Sequence, residues 1–211
     1  MGIDDAIMTG PGIRIFDASD YGSFGNIFET KKFKLLQQIR VDIWSSGKSH
    51  EELKLNEKEV LELGIIYAKQ PHFVGKIAAY NKKLAGYGLG YETIIDEINL
   101  AKEIVVSPLS IPEFRMSLKK QFGITGERMM IVNGLGVLPC YRNNPLIVKS
   151  LISELLRGLR HNAYESGVPV IMFYTWKHEE HPDIYKKHGF EKLYGFLDRR
   201  QPDLTYWFLP L

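Results

Sequence analysis

Residues 129–159 read MMIVNGLGVLPCYRNNPLIVKSLISELLRGL, and the parsing of this stretch decides the rest of the chain. Met129, Met130, Ile131, Val132, Leu135 and Val137 form a short apolar run with β-branched members, which predicts a buried strand. Pro139 closes it, because proline has no N–H to give a ladder, and Pro145 suits a first helical position, where that N–H would be idle. From there Leu146, Ile147, Leu151, Leu155, Leu156 and Leu159 recur at mostly three- and four-residue intervals, with Lys149, Glu154, Arg157 and Arg160 largely off the stripe. This is a helix with one core face. A strand that runs straight into a helix aims the helix's first N–H groups at one spot, and such a spot favours a phosphate. Gly134 and Gly136 interrupt the strand. They mark either a simple bend or a place where a ligand comes close to the backbone, and the residues alone leave both open.

Upstream, Phe73 to Tyr80 and Leu84 to Gly90 flank Asn81-Lys82-Lys83 and predict a hairpin, with Gly86, Gly88 and Gly90 letting another element pack close. Ile13 to Phe16 alternates as a first strand, and residues 1–12 are expected as a tail. Phe28 to Trp44 and Glu51 to Tyr67 carry helical spacing, with Trp44 read as core. Glu92 to Lys102 is expected to be helical, Ser107 to Pro112 a turn, and Phe114 to Phe122 an amphipathic helix. Together they fill residues 92–128, which serve either as a lid or binding element or as a covering helix without ligand contact. Downstream, Gly167 stops the central helix, and Val168 to Tyr174 is a near-continuous apolar run that predicts a strand covered on both faces. Pro182 to His188 forms a short helix. Phe190 opens a final antiparallel pair whose last strand holds Tyr206, Trp207 and Phe208.

The length of 211 residues predicts one domain, residues 1–211. With 45% apolar and 25% charged residues and a net charge of +2, the chain has the composition of a soluble globular protein and no basic block that calls for nucleic acid. Its apolar runs fall far short of a membrane span, and it opens with no secretory signal pattern. One cysteine excludes an internal disulfide framework and suits a reducing cytoplasm; Cys140 is read as a small buried residue. The histidines between 178 and 188 match no metal-ligand spacing, so no metal is expected.

The run Leu135-Gly-Val-Leu-Pro-Cys-Tyr-Arg142, the helix after it, and Ile184-Tyr-Lys-Lys-His-Gly-Phe190 together resemble the GNAT superfamily of amine N-acetyltransferases over residues from about Phe73 onward. The resemblance implies a mixed, mostly antiparallel central sheet flanked by helices, whose fourth and fifth strands are parallel and splayed around a thioester arm. It places Leu135, Gly136, Val137, Arg142, Asn143, Asn144 and Leu146 against the phosphopantetheine and phosphates of the donor. It makes Tyr185 the acid that protonates the leaving thiolate. The chain departs from the family at the phosphate loop, where two small residues are replaced by Pro145 and Ile147. Proline removes a donor, and isoleucine puts a branched side chain where phosphate would approach. A carrier-protein phosphopantetheine arm has one phosphate and asks less of such a loop, so the donor is acyl-CoA or an acyl-carrier protein, the latter as in relatives that make N-acyl amino acids.

Acyl transfer to an amine needs a polarised carbonyl, a base for the amine and a proton for the thiolate. A phenol can supply that proton, since its usual pKa of about 10 is close to that of a thiol. Candidates for the base are Glu92, Glu127 and His178, the last titrating in the useful range. The expected function is therefore an N-acyltransferase acting on a small-molecule amine in a ternary complex. Two alternatives stay open: a GNAT-fold module that binds an acyl thioester or a partner without turnover, and a thioester decarboxylase or S-acyltransferase drawing on the Thr175 to His178 cluster.

Overall fold

In the computed structural model, the described residues are 7–10, 12–18, 31–45, 56–98, 105–177 and 182–211. The strands are β1 (Ile7–Gly10), β2 (Ile13–Asp17), β3 (Val74–Tyr80), β4 (Lys83–Ile94), β5 (Arg128–Val137), β6 (Val170–Trp176), β7 (Glu191–Lys192) and β8 (Leu204–Pro210). The helices are α1 (Lys31–Ser45), α2 (Glu57–Ala68), α3 (Ile111–Phe122), α4 (Pro145–Ser166) and α5 (Pro182–Lys187). The chain divides into two compact units, Met1–Gly90 with Gly134–Gly158, and Tyr91–Asn133 with Leu159–Leu211. Every registered strand pair is antiparallel except β5 with β6, which is parallel. This is the mixed, mostly antiparallel sheet with helices that the sequence predicts.

In the first unit the strand order is β1-β2-β3-β4-β5. β3 and β4 turn through Asn81 and Lys82, both at positive φ, which matches the right-handed twist of a two-residue hairpin. β4 and β5 run antiparallel, and the Leu138 N–H donates to the Ala85 carbonyl at 2.8 Å. One sheet face presents Ile13, Ile15, Ala78, Ala85 and Val137 to Ile147 and Leu151 of α4. Gly86 and Gly88 carry no side chain on this face because α4 and β5 are too close: a Cβ on Gly86 would fall 2.6 Å from the Gly136 carbonyl oxygen, and one on Gly88 3.0 Å from Leu155. The other face takes α1. A buried cluster pins α1 to α2: Arg40 donates to Gln37 at 2.6 Å and to the Val60 carbonyl at 3.1 Å, while Gln37 donates to the Leu61 carbonyl at 2.8 Å. Buried Lys76 of β3 pairs with Asp17 opposite it on β2, which spares the interior an isolated charge. Residues 7–10 are a strand rather than the tail expected; Ile7 and Met8 register with Ile15 and Arg14, so the edge of β2 is covered.

In the second unit the order is β4-β5-β6-β8-β7. Trp207 is buried and registers with Phe173 of β6. On the opposite face Phe114 of α3 lies edge-on to Phe196 and Tyr206. Residues 92–128 therefore contain a helix that closes the core. Glu92–Ile94 extend β4 instead of starting a helix, because Tyr91 and Thr93 are buried in the sheet; one 3-10 turn, Ile95–Glu97, follows. Two ends of the core are tied by single groups. Asp198 accepts from the Ser107, Arg200 and Gln201 N–H groups, at 2.5, 2.9 and 3.2 Å. Burial, reinforced by the Asp198 carboxylate, pushes the Tyr206 hydroxyl up, and it donates to the Val105 carbonyl at 2.7 Å. The start of the Phe28 to Trp44 helix, the first part of Glu51 to Tyr67 and the Trp44 side chain lie outside the described residues. Among the described residues no helix is long and apolar enough to cross a membrane.

Candidate functional site

The residues predicted to face the donor phosphates sit at the end of β5 and the start of α4, in the first unit. Gly134 and Gly136 are explained by protein packing on their Cβ side: a Cβ at Gly134 would lie 3.0 Å from the Tyr87 ring, and one at Gly136 would lie 2.9 Å from Ile43 and 3.1 Å from that ring. The glycine pair makes room for Tyr87. Leu135 points to the other face and is exposed, as is Leu146. After Leu138 the chain takes a 3-10 turn, Pro139–Tyr141, and Tyr80 meets Tyr141 edge to face at 5.9 Å. Arg142 Nε donates to the Val137 carbonyl at 3.2 Å, so the guanidinium is anchored to the strand and its two Nη groups are its other donors.

The first N–H groups of α4 are engaged within the segment. Pro145 has none, the Leu146 N–H donates to Asn144 Oδ1 at 3.2 Å, and the Ile147 N–H donates to the Asn144 carbonyl at 3.2 Å. Ahead of the helix, the Tyr141, Arg142 and Asn144 N–H groups donate to Leu138, Pro139 and Tyr141. Asn144 is thus the cap of α4. An asparagine directly before a proline at the first helical position is a signal the sequence carries, and reading the loop by resemblance alone misses it. Ile147 is fully buried among Ile13, Ala85 and Leu151, so its branched side chain belongs to the core. Cys140 is exposed, not buried, because it lies on the 3-10 turn rather than in the strand.

The remaining candidates belong to the second unit. β5 and β6 register at Met130–Val132 with Ile171–Phe173 and no further, and at the next position the Tyr174 hydroxyl donates to Asn133 Oδ1 at 3.3 Å. A side-chain bond thus takes over where the backbone ladder stops. Tyr185 on α5 has its ring edge-on to Phe173 at 4.6 Å and to Trp207 at 5.0 Å. The Gly189-Phe190 pair that marks this tyrosine ends the helix: the Phe190 N–H donates to the Tyr185 carbonyl at 3.1 Å, the Gly189 N–H to Lys186 at 2.9 Å, and Gly189 sits at φ 87°. This is a glycine-stopped helix end, and it fixes the backbone of Tyr185. Glu92 is buried on β4, where its Oε1 accepts from Arg128 Nη1 at 2.9 Å, and Arg128 Nη2 donates on to the Ser166 carbonyl at 2.7 Å. Glu127 is exposed, and His178 lies outside the described residues. Among the described residues no group of three or more His, Cys, Asp or Glu could hold a metal ion.

No protein-family model and no curated protein matches the chain. Solved structures match at low identity over nearly the whole chain. An acetyltransferase from Streptococcus agalactiae shares 17% identity, with 95% of this chain and 99% of that one covered, at a TM-score of 0.51. NAA60 of Arabidopsis thaliana, in complex with acetyl-CoA, shares 16% over 94% and 98%, at 0.51. A GNAT-family acetyltransferase from Staphylococcus aureus shares 14% over 94% and 99%, also at 0.51. The fold is that of the GNAT acetyltransferases. In the GNAT fold of this chain, β5 and β6 are the parallel fourth and fifth strands of the expected arrangement, and β1 is an additional edge.

Proposed function

We propose that the chain, residues 1–211 acting as one domain, is a cytoplasmic N-acyltransferase that moves an acyl group from a phosphopantetheine thioester to a primary amine of a small molecule. The donor is acyl-CoA or an acyl-carrier protein. The observation that carries this reading is the fork of β5 and β6, two parallel strands of ten and seven residues whose shared register covers only three. In the family that the chain resembles, the thioester arm lies where these two strands part.

In this reading the amine nitrogen attacks the thioester carbonyl carbon, the C–S bond breaks with its electrons going to sulfur, and an amide and a thiol are formed. A main-chain N–H of Gly136 or Val137 polarises the carbonyl. Tyr185 gives its proton to the sulfur, and Glu92 or His178 takes one from the amine. The pair with Arg128 weighs against Glu92, since its Oε1 is already engaged by the guanidinium. Arg142, Asn143, Asn144 and Leu146 face the donor phosphate.

The test is mass spectrometry of the full chain with acetyl-CoA, a long-chain acyl-CoA and an acyl-carrier protein, each against a pool of amino acids and amines. Amide product with at least one donor is expected, and Tyr185→Phe lowers kcat about a hundredfold. Unchanged turnover in Tyr185→Phe removes the assigned acid. Thioester binding without product from any donor selects a second reading, a silent acyl-thioester module, which the self-capped start of α4 favours.

A further inference from the structure

We infer that Trp207 is a positioning residue for Tyr185: its indole, fixed among the strands of the second unit, holds the ring whose hydroxyl protonates the leaving thiolate. This rests on the acyl-transfer reading and adds to it a residue that acts through another rather than on the substrate.

Tyr185 depends on such a support because its own helix gives it little. α5 has six residues, too short to be stable without tertiary contacts, and none of them is buried. The glycine stop at Gly189 sets the backbone of Tyr185 and leaves its side chain to be placed by what it meets. It meets two rings. Phe173 and Trp207 lie opposite each other on β6 and β8, with ring planes 10° apart and centroids at 6.2 Å, and Tyr185 stands across both, at 73° to Phe173 and 66° to Trp207. Edge-to-face contact with two parallel rings limits the tilt of the third as well as its place. Of the two supports Trp207 is the more firmly set. It is 1% exposed, registers with Phe173 on one side and Lys192 on the other, and has the Lys192 ammonium 5.9 Å from its ring centroid, whereas Phe173 is only partly buried.

A second observation sets Trp207 apart from ordinary core. Its Nε1–H is buried and has no acceptor among the described residues. A buried donor without a partner lowers stability, so packing alone favours an apolar side chain at this position. The large flat ring is kept despite that cost, at the place where it meets Tyr185. The test is steady-state kinetics of the full chain with acetyl-CoA, a long-chain acyl-CoA or an acyl-carrier protein, whichever yields amide. Trp207→Leu removes the aromatic support, and Trp207→Phe keeps a smaller ring. Each is measured alone and combined with Tyr185→Phe, and Phe114→Leu serves as a control of equal burial on the opposite face.

Trp207→Leu is expected to lower kcat about tenfold, the factor one aromatic pair can supply, and to leave KM for donor and amine within about twofold. Trp207→Phe is expected to recover most of that loss, to within about threefold of the natural chain. In the Tyr185→Phe background neither substitution lowers kcat further, because no phenol is left to place. Phe114→Leu lowers the denaturation midpoint and leaves kcat unchanged. Where Trp207→Leu does not fold, Trp207→Phe carries the test, since its smaller loss must also vanish in the Tyr185→Phe background. An unchanged kcat in both Trp207 variants overturns the inference and leaves the acyl-transfer reading standing. So does a fall that persists undiminished without the Tyr185 hydroxyl, or one that Phe114→Leu reproduces, because the effect would then be structural. Unchanged turnover in Tyr185→Phe removes the acid, and this inference with it. Absence of amide from every donor overturns the acyl-transfer reading itself.

Discussion

Two helices of the first unit start on asparagine, and the starts differ in charge although the asparagine side chain accepts a first-turn N–H at both. At α2, Asn56 Oδ1 accepts from the Glu59 N–H at 3.1 Å while the Glu59 carboxylate accepts from the Asn56 N–H at 2.9 Å, and Glu57 adds a second acid to the first turn. At α4, Asn144 accepts from Leu146 and Ile147, and the first turn carries no acid. The positive end of the dipole is thus neutralised by the chain's own carboxylates at α2 and meets only a neutral amide at α4. Orphan donors and helix potential are separate quantities. A helix start can satisfy the first and keep the second, and α4 does so beside Arg142.

The hardest way to break this comparison is to give α4 the box that α2 has. Ile147→Glu writes Asn-x-x-Glu at the start of α4, as in Asn56 to Glu59. The position is fully buried in an apolar cluster with Ile13, Ile15, Ala85 and Leu151. An uncompensated buried charge costs about 3–5 kcal/mol. Denaturant titration of the variant is expected to show that loss. A loss under about 1 kcal/mol would mean that the first turn of α4 rotates freely and that burial is not what keeps it acid-free. A smaller loss is expected from the floor beneath it. Gly86→Ala places a methyl 2.6 Å from the Gly136 carbonyl oxygen, a backbone atom with no rotamer to yield, so β5 must shift from β4. Overpacking of this kind costs about 1–3 kcal/mol, read as a lower denaturation midpoint at unchanged m-value.

Much of this framework is legible in the sequence because it depends on periodicity. The apolar run into β5, the stripe of α4 and the β3–β4 hairpin are patterns in which one residue type repeats at the period of the element. The acid-free cap is legible too, in Asn144-Pro145, but only if the dipeptide is read as a helix start rather than as a damaged binding loop. What the sequence hides is long-range. Gly134 and Gly136 look like ligand-approach glycines until Tyr87 and Ile43 are found on their Cβ side. Glu92 looks like a base until Arg128, 36 positions along the chain, is found on it. The β1 strand is hidden because its partner, not its own alternation, makes it a strand: Met8 lies opposite Arg14 and Gly10 opposite Ile13 across a shifted register. Tyr185 is the reverse case. Its Gly-Phe marker is readable, yet the structure gives that marker a second cause in the helix stop, so the motif alone does not decide the tyrosine's role.

The smallest expected effect gives the comparison its sharpest form. Glu59→Gln keeps an acceptor for the Asn56 N–H and removes only the charge, so it converts α2 toward the α4 condition without disturbing the box. The dipole interaction of one exposed acid is worth about 0.3–1 kcal/mol and is screened by salt. The variant is expected to lose stability in that range at low ionic strength and to converge on the natural chain at about 1 M salt, where the Debye length falls to about 3 Å. A loss that persists at high salt would assign the stabilisation to hydrogen-bond geometry instead of charge. The two helix starts would then be equivalent, and the potential left at α4 could not be used to explain why an anion should prefer it.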